Sequence, residues 1–339
     1  MIYSTLKPSS LIVFDMDGVI IDVSKSYRET VRQTARRFFT GATDWDDLPD
    51  PLFSLTELAA VKETGGLNND WDLTCQVIRL LCRRVRTNQP PVYTGDSWEY
   101  YRKTISTWDV TPLADFLKSV DQPLTMLLAE KAEIDNDFIA KIYQGDVGSG
   151  NIIKQIFQEI YLGETLFAET YGFPPSLHKD IGLNILEKLI IEQQLIGKLA
   201  ERNLLAIATG RPRAEALYPL NVFGLKTYFT LVIALDDCLA AEQKRFERDG
   251  KKQSLSKPDP FMLNTITDKI GRLPAKRYYV GDMPDDMIAA LRAREKFTGI
   301  GFTASAPDKT GLEEKLRAAG AAQVFGTTAS LLAFFSSEH

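Results

Sequence analysis

Four carboxylates, one lysine and one hydroxyl hold most of the chemistry open to this chain. Asp15 and Asp17 stand two residues apart where an apolar run stops. Asp282 and Asp286 stand four apart, at the end of another apolar run and the start of a helical pattern. Oxygen donors of this kind suit a hard cation such as Mg²⁺, which keeps several waters, and Asp15, Asp282 and a backbone carbonyl suffice to hold it. Thr209, followed by Gly210, offers a hydroxyl and open amides to a phosphoryl oxygen. Lys257 stands just before Pro258-Asp259-Pro260. Proline suits a first helical turn, which puts Lys257 at a helix start. Its point charge there can neutralise a phosphoryl oxygen or hold a nucleophile. Only 2 histidines are present, and His339 is the last residue. A His-rich metal site is thereby excluded, and a Ser-His-Asp triad would depend on His178 alone. A surface or capping role is expected for His178.

These groups need elements to bring them together. Residues 11–14 read as a buried parallel strand, apolar without interruption, ending at Asp15. From about 24 to 200 the pattern is helical. Ser26 and Glu29 have the spacing of a capping box, followed by an apolar stripe of Val31, Ala35, Phe38 and Phe39. Further helices are expected at 71–84, 149–162 and 179–201, and the glycine-rich run 145–150 reads as a plain loop. After 203, short strands alternate with helices: 204–208 ending in Thr209-Gly210-Arg211, 229–234, 278–280 ending in Gly281-Asp282, then 299–302 and 323–325. This predicts an α/β fold, a doubly wound parallel sheet of Rossmann type. Ligands of such sheets sit at the carboxyl ends of strands, where Asp15, Thr209 and Asp282 all fall. The expected domains are 1–24 with 200–339 as core, and 25–199 as an inserted all-α cap that acts as a lid. The charged segment 241–256 reads as an exposed flexible loop.

Composition narrows the classes. The 339 residues suggest about two domains, and the formal charge of -5 gives no basic coat for nucleic acid. The 44% hydrophobic and 25% charged content is that of a globular protein. No apolar run approaches the roughly 18 residues of a membrane span. The N-terminal apolar stretch stops too early for a signal peptide. Cys75, Cys82 and Cys238 are too scattered for a disulfide framework. A cytoplasmic location without membrane or nucleic-acid partners is expected.

The stretches Asp15-Met16-Asp17-Gly18-Val19, Thr209-Gly210-Arg211, Lys257-Pro258-Asp259-Pro260 and Gly281-Asp282 with Asp286, in this order, resemble the haloacid dehalogenase superfamily. The insertion between the first and second motifs resembles the subfamily with a helical cap. Asp22-Val23-Ser24-x-Ser26-Tyr27-Arg28 and Lys62-x-x-Gly65-Gly66-x-Asn68-Asn69-Asp70-Trp71 look like a small branch known from cyanobacteria, haloarchaea and oomycetes. By that resemblance Asp15 is the nucleophile that forms an aspartyl-phosphate, and Asp17 is the general acid and base. Thr209 and Lys257 bind the phosphoryl group, with Gly210 and Arg211 beside the substrate. The resemblance further implies Mg²⁺ held by Asp15, Asp17 and Asp282, with Asp286 as ligand or supporting group. Asp286 also fits a plain helix N-terminal charge. A second aspartate argues against dehalogenation, which needs neither proton donor nor metal.

The cap is expected to select the substrate, through Asn68, Asn69 and Asp70 and one of Tyr27 or Arg28, although Asn and Asp also start helices. Arg83, Arg84 and Arg86 fit a solvated face better than a second anion site. The implied activity is a Mg²⁺-dependent phosphomonoesterase acting on a small, polar phosphorylated metabolite of sugar- or polyol-phosphate type. The alternatives are a phosphomutase that uses the same aspartyl-phosphate and a catalytically silent binding protein.

Overall fold

The computed structural model describes residues 8–62, 69–130 and 137–337. The chain forms two compact units, Met1–Val23 with Lys188–His339, and Ser24–Glu187.

The first unit opens with β1 (Ser10–Phe14), whose Leu11, Ile12, Val13 and Phe14 are wholly buried. That burial explains the run: a strand covered on both faces has no reason to alternate. The chain turns through Asp15–Gly18 into the short β2 (Ile21–Asp22) and then leaves for the second unit.

Among the described residues the second unit contains α1 (Tyr27–Arg37), α2 (Leu55–Lys62), α3 (Asp70–Cys82), α4 (Ser97–Ile105), α5 (Thr111–Ser119), α6 (Pro123–Ala129), α7 (Asp137–Ile142) and α8 (Ile152–Tyr171). The stripe Val31, Ala35, Phe38 and Phe39 is fully buried. Phe38 gathers Tyr101, Trp108 and Phe138 around it at centroid distances of 5.6, 6.4 and 6.4 Å. The Tyr101 hydroxyl donates to the Phe38 carbonyl at 2.8 Å. The expected capping box does not form. Ser26 precedes α1, but its hydroxyl donates to Glu187 Oε1 at 3.1 Å, and Glu29 pairs with Arg32. His178 is buried rather than on the surface, its N–H donating to Glu159 Oε2 at 3.1 Å. The run 145–150 is a turn ahead of the Asn151 cap of α8.

The chain returns through β3 (Lys188–Leu189), antiparallel to β2 with Ile21 opposite Leu189 and Asp22 opposite Lys188. Then follow α9 (Gln193–Ala200), β4 (Leu204–Ala208), α10 (Arg213–Val222), β5 (Phe229–Ile233), α11 (Leu235–Asp249), α12 (Phe261–Ile270), β6 (Lys276–Gly281), α13 (Pro284–Arg292), β7 (Thr298–Phe302), α14 (Lys309–Ala318), β8 (Gln323–Phe325) and α15 (Thr328–Ser337). The single helix expected over 179–201 is absent, because pairing of Lys188–Leu189 with β2 outweighs local helical spacing. The return to the core unit therefore comes at 187/188, earlier than the expected 199/200. The segment 241–256 is also not a loop throughout. Its first part continues α11 to Asp249, and beyond it Leu255 folds back into the core, its N–H held by Glu242 Oε1 at 2.7 Å. A helix whose charges face solvent has the same composition as a solvated loop.

The six-stranded sheet is parallel throughout, in the order β5-β4-β1-β6-β7-β8. β4 and β5 build outward on one side of β1, and β6, β7 and β8 on the other. β1 thus lies where the winding reverses, the position at which open α/β sheets bind ligands. Phe14 pairs with both Ile207 and Val280, so the residues after β1, β4 and β6 share one rim. No helix among the described residues is long and apolar enough to cross a membrane.

Candidate active site

The rim gathers the sequence motifs. Asp15 follows β1 directly, and its N–H donates to the Val280 carbonyl at 2.8 Å. Asp15 Oδ1 accepts the Met16 N–H at 2.7 Å and lies 2.8 Å from Lys257 Nζ. Lys257 Nζ lies equally 2.8 Å from Asp286 Oδ1. Lys257 is in the turn ahead of α12, which starts at Phe261, so Pro258 does not open the helix as expected. Asp286 is the third residue of α13 and wholly buried. Its Oδ2 accepts the Met283 N–H at 3.0 Å, which caps the helix, while Oδ1 receives Lys257 and, at 2.8 Å, the Tyr279 hydroxyl. Asp286 thus caps its helix through one oxygen and binds Lys257 and Tyr279 through the other.

Carboxylate oxygens of Asp15, Asp282 and Asp286 lie within 4.8 Å of one another, all three residues buried. Oxygen donors without a histidine or thiolate are the set expected of Mg²⁺. Three buried carboxylates against the Lys257 ammonium leave an excess of negative charge that a divalent cation matches. Two glycines make room for them. At Gly18 (φ 74°) a Cβ would come within 2.0 Å of Asp282 Oδ2, and at Gly281 within 2.4 Å of Asp286. Left to themselves the charges are strained. Burial pushes the Asp15 carboxyl up to about 7 against the pull of Lys257, with Asp286 and Asp17 pushing the same way. Burial pulls Lys257 down, but Asp15 and then Asp286 more than reverse this and hold the ammonium well above its ordinary value. A cation within the cluster would return Asp15 to its ionised form.

A family model for haloacid dehalogenase-like hydrolases matches residues 10–294, most of the chain. The chain belongs to that family. A curated protein from Phytophthora nicotianae named imidazoleglycerol-phosphate dehydratase is 25% identical over 295 residues, which is 86% of this hydrolase but 43% of the Phytophthora protein. The hydrolase thus spans less than half the length of that relative. An X-ray structure from the Northeast Structural Genomics Consortium superposes with a TM-score of 0.63 at 19% identity, covering 98% of this chain and 100% of that one, and shares the fold. A phosphatase from Thermococcus thioreducens superposes with a TM-score of 0.49 at 17% identity, over 91% of this hydrolase and 99% of its own chain.

Not every expected residue falls where expected. Thr209 is buried at the end of β4, its Oγ1 accepting the Arg211 N–H at 3.2 Å, and Gly210 follows with open space where a side chain would be. Arg211 is buried and paired with Asp17 instead of lying open to a ligand: Nε and Nη2 reach Asp17 Oδ1 at 2.7 and 2.6 Å. Asp17 accordingly stands outside the carboxylate cluster as a side chain.

In the other unit of the hydrolase, Tyr27 is stacked on Tyr161 at 4.3 Å and on Phe157 at 5.8 Å, a core position, and Arg28 is half-buried. Asn69 caps α3, accepting the Asp72 N–H at 2.7 Å, and Asp70 pairs with Lys62 at 3.2 Å. Both carry the local helix-start role open to Asn and Asp. Asn68 lies outside the described residues, as do Gly65 and Gly66. Arg83 donates to the Leu127 carbonyl, Arg84 pairs with Glu130 and Arg86 with Asp109, so this basic group is occupied internally. Tyr279 is the site residue that the motifs did not bring out. Its signal is weak: an aromatic with a hydroxyl inside a buried strand must find a partner.

Proposed function

We propose that this hydrolase is a Mg²⁺-dependent phosphomonoesterase acting on a small phosphorylated metabolite through a phosphoryl-enzyme on Asp15. The observation that carries the reading is the group of Asp15, Lys257, Asp282 and Asp286 on one rim, its three carboxylates buried. Asp15, Asp282 and Asp286 would hold the cation, which supplies positive charge to the phosphoryl oxygens. Lys257 keeps the Asp15 carboxylate in place and adds a second positive charge beside the transferring group. Asp15 attacks phosphorus, and its carboxylate splits hydrolysis into two easier steps. Thr209 and the amide of Gly210 receive phosphoryl oxygens at the end of β4. Asp17 gives a proton to the departing alkoxide and takes one from the water of the second step.

The rim groups recognise only the phosphoryl group, so the alcohol must be chosen by residues of the inserted unit. Asn69 and Asp70 remain candidates through whatever donors and acceptors their local bonds leave open. The Phytophthora relative is named for a phosphorylated imidazole polyol, and this places imidazole-bearing polyol phosphates beside sugar phosphates in the first substrate panel. The test is phosphate release across that panel. Turnover is expected with Mg²⁺ and not after chelation, with free phosphate equal to alcohol. Full turnover in verified metal-free enzyme would overturn the metal role. An isomerised ester without free phosphate would identify a phosphomutase instead.

A further inference from the structure

We propose that Arg211 is the positioning residue of Asp17 and does not contact the substrate. The proposal rests on the phosphatase reading above and deepens it.

Two guanidinium nitrogens converge on a single oxygen. Arg211 Nε lies 2.7 Å and Nη2 2.6 Å from Asp17 Oδ1. The Asp17 side chain remains 34% accessible where that of Arg211 is 1%. One carboxylate oxygen is therefore tied back while the side chain as a whole stays partly accessible.

Arg211 is itself fixed from several directions. Its N–H donates to Thr209 Oγ1 at 3.2 Å, its carbonyl accepts the Leu235 N–H at 2.9 Å, and Nη1 donates to the Glu215 carbonyl at 3.3 Å. These contacts come from the end of β4, the start of α11 and the first turn of α10. The first two hold the main chain; the guanidinium itself is engaged through Nη1 to Glu215 and through Nε and Nη2 to Asp17, and it cannot turn toward a ligand without breaking these. Asp17 sits in the turn between β1 and β2, where the backbone is bridged to Ile21 and the side chain is held by Arg211.

The chemistry needs that orientation. In the first step the P–O ester bond breaks as the Asp15 oxygen bonds to phosphorus, and the Asp17 carboxyl proton moves to the ester oxygen, which leaves as alcohol. In the second, Asp17 takes a proton from water as the water oxygen attacks phosphorus, releasing phosphate and the Asp15 carboxylate. A misplacement of about 1 Å in such a group can cost about a hundredfold in rate. Arg211 acts through this proton step alone, so its loss should matter most where the leaving group needs a proton.

Phenyl phosphate and p-nitrophenyl phosphate separate the cases, because phenolate leaves poorly without a proton and nitrophenolate leaves readily. The quantity read is kcat/KM, which reports the first step, on the Mg²⁺-loaded full chain. For Arg211→Gln the phenyl to p-nitrophenyl ratio is expected to fall by about tenfold, a share of the effect of a positioned acid. In an Asp17→Asn background the same change should add less than about twofold to the loss on phenyl phosphate, since coupled residues are not additive. Arg211→Lys, which keeps one charged donor, should recover part of the ratio. Equal losses on both esters, or additive losses in the double variant, would overturn the proposal and return Arg211 to substrate binding or to folding. Should Arg211→Gln prove unfolded by circular dichroism, the Lys variant decides by the same ratio. Wild-type enzyme that releases phosphate from neither ester would overturn the phosphatase reading and this proposal with it.

Discussion

Asp15 and Asp17 are separated by one residue and live in different surroundings. Asp15 is buried between Lys257 and the Met16 amide, while Asp17 is partly open and tied to an arginine. This division fits a nucleophile that must be held and an acid that must reach. Asp17→Asn is expected to lower turnover by roughly 10²–10⁴-fold, the usual worth of a positioned acid or base. Asp15→Asn should cost more, because the covalent route is lost. Phosphate release by the two purified variants tests the order, and near wild-type activity in Asp15→Asn would end the covalent mechanism. Tyr279 is the silent partner at this scale. Its hydroxyl holds Asp286 Oδ1 at 2.8 Å, and Lys257 Nζ lies 5.6 Å from its ring centroid. Tyr279→Phe removes one buried donor and should weaken Mg²⁺ activation by about 10–100-fold, as other losses of groups behind metal ligands do. An unchanged Mg²⁺ concentration for half-activation would show that Asp286 needs no such support.

At the scale of elements, the turn after β1 does the most with the least. Gly18 has φ 74° and leaves room for Asp282, which a methyl group there would meet at 2.0 Å. Gly18→Ala should abolish Mg²⁺-dependent turnover with the far-UV spectrum unchanged. Retained activity would mean that the turn can move without disturbing the cluster. The rim itself was legible in the sequence because three of the four motifs end an apolar run: the strands expected at 204–208 and 323–325 match β4 and β8, and Thr209 and Asp282 follow their strands as read. What was not legible depends on distant residues. The Asp17–Arg211 pair spans 194 positions, and no local pattern announces it. Lys188–Leu189 looked helical because its partner strand lies at Ile21–Asp22, far back in the chain. Ser26 had the right neighbour for a cap, but Glu187 claimed its hydroxyl.

For the whole molecule, burial of the thiols supplies a probe of integrity. Cys75, Cys82 and Cys238 are all buried and free. Burial raises all three thiols, Cys238 to about 12, with the nearby Glu242 acting in the same direction. The folded value lies above the unfolded one of about 8.5. Stability from keeping Cys238 protonated is therefore complete below about 8.5 and is lost as pH rises toward about 12. A thiol reagent at pH 8 should label the native chain slowly and all 3 cysteines at once in guanidinium. Rapid labelling of the native chain would show that the thiols are reached by opening far short of unfolding. Denaturant midpoints should likewise fall between pH 8 and pH 11.

The pairing of β2 with β3 has a consequence for the insert. Asp22, just before the chain departs, faces Lys188, just after it returns. Antiparallel neighbours stand only about 5 Å apart at their Cα atoms. To the sheet, everything from Ser24 to Glu187 is the content of one hairpin loop. Loop closure grows slowly, by about 0.6 kcal/mol for each doubling of length. Lengthening, trimming or exchanging this insert should therefore cost the β2–β3 pairing little. Under the phosphatase reading proposed above, such freedom would let one set of rim residues serve many alcohols. A two-residue Asn-Gly turn joining Asp22 to Lys188 should still give a cooperatively unfolding core. A core that fails to fold would show that the insert had become a structural necessity rather than a guest.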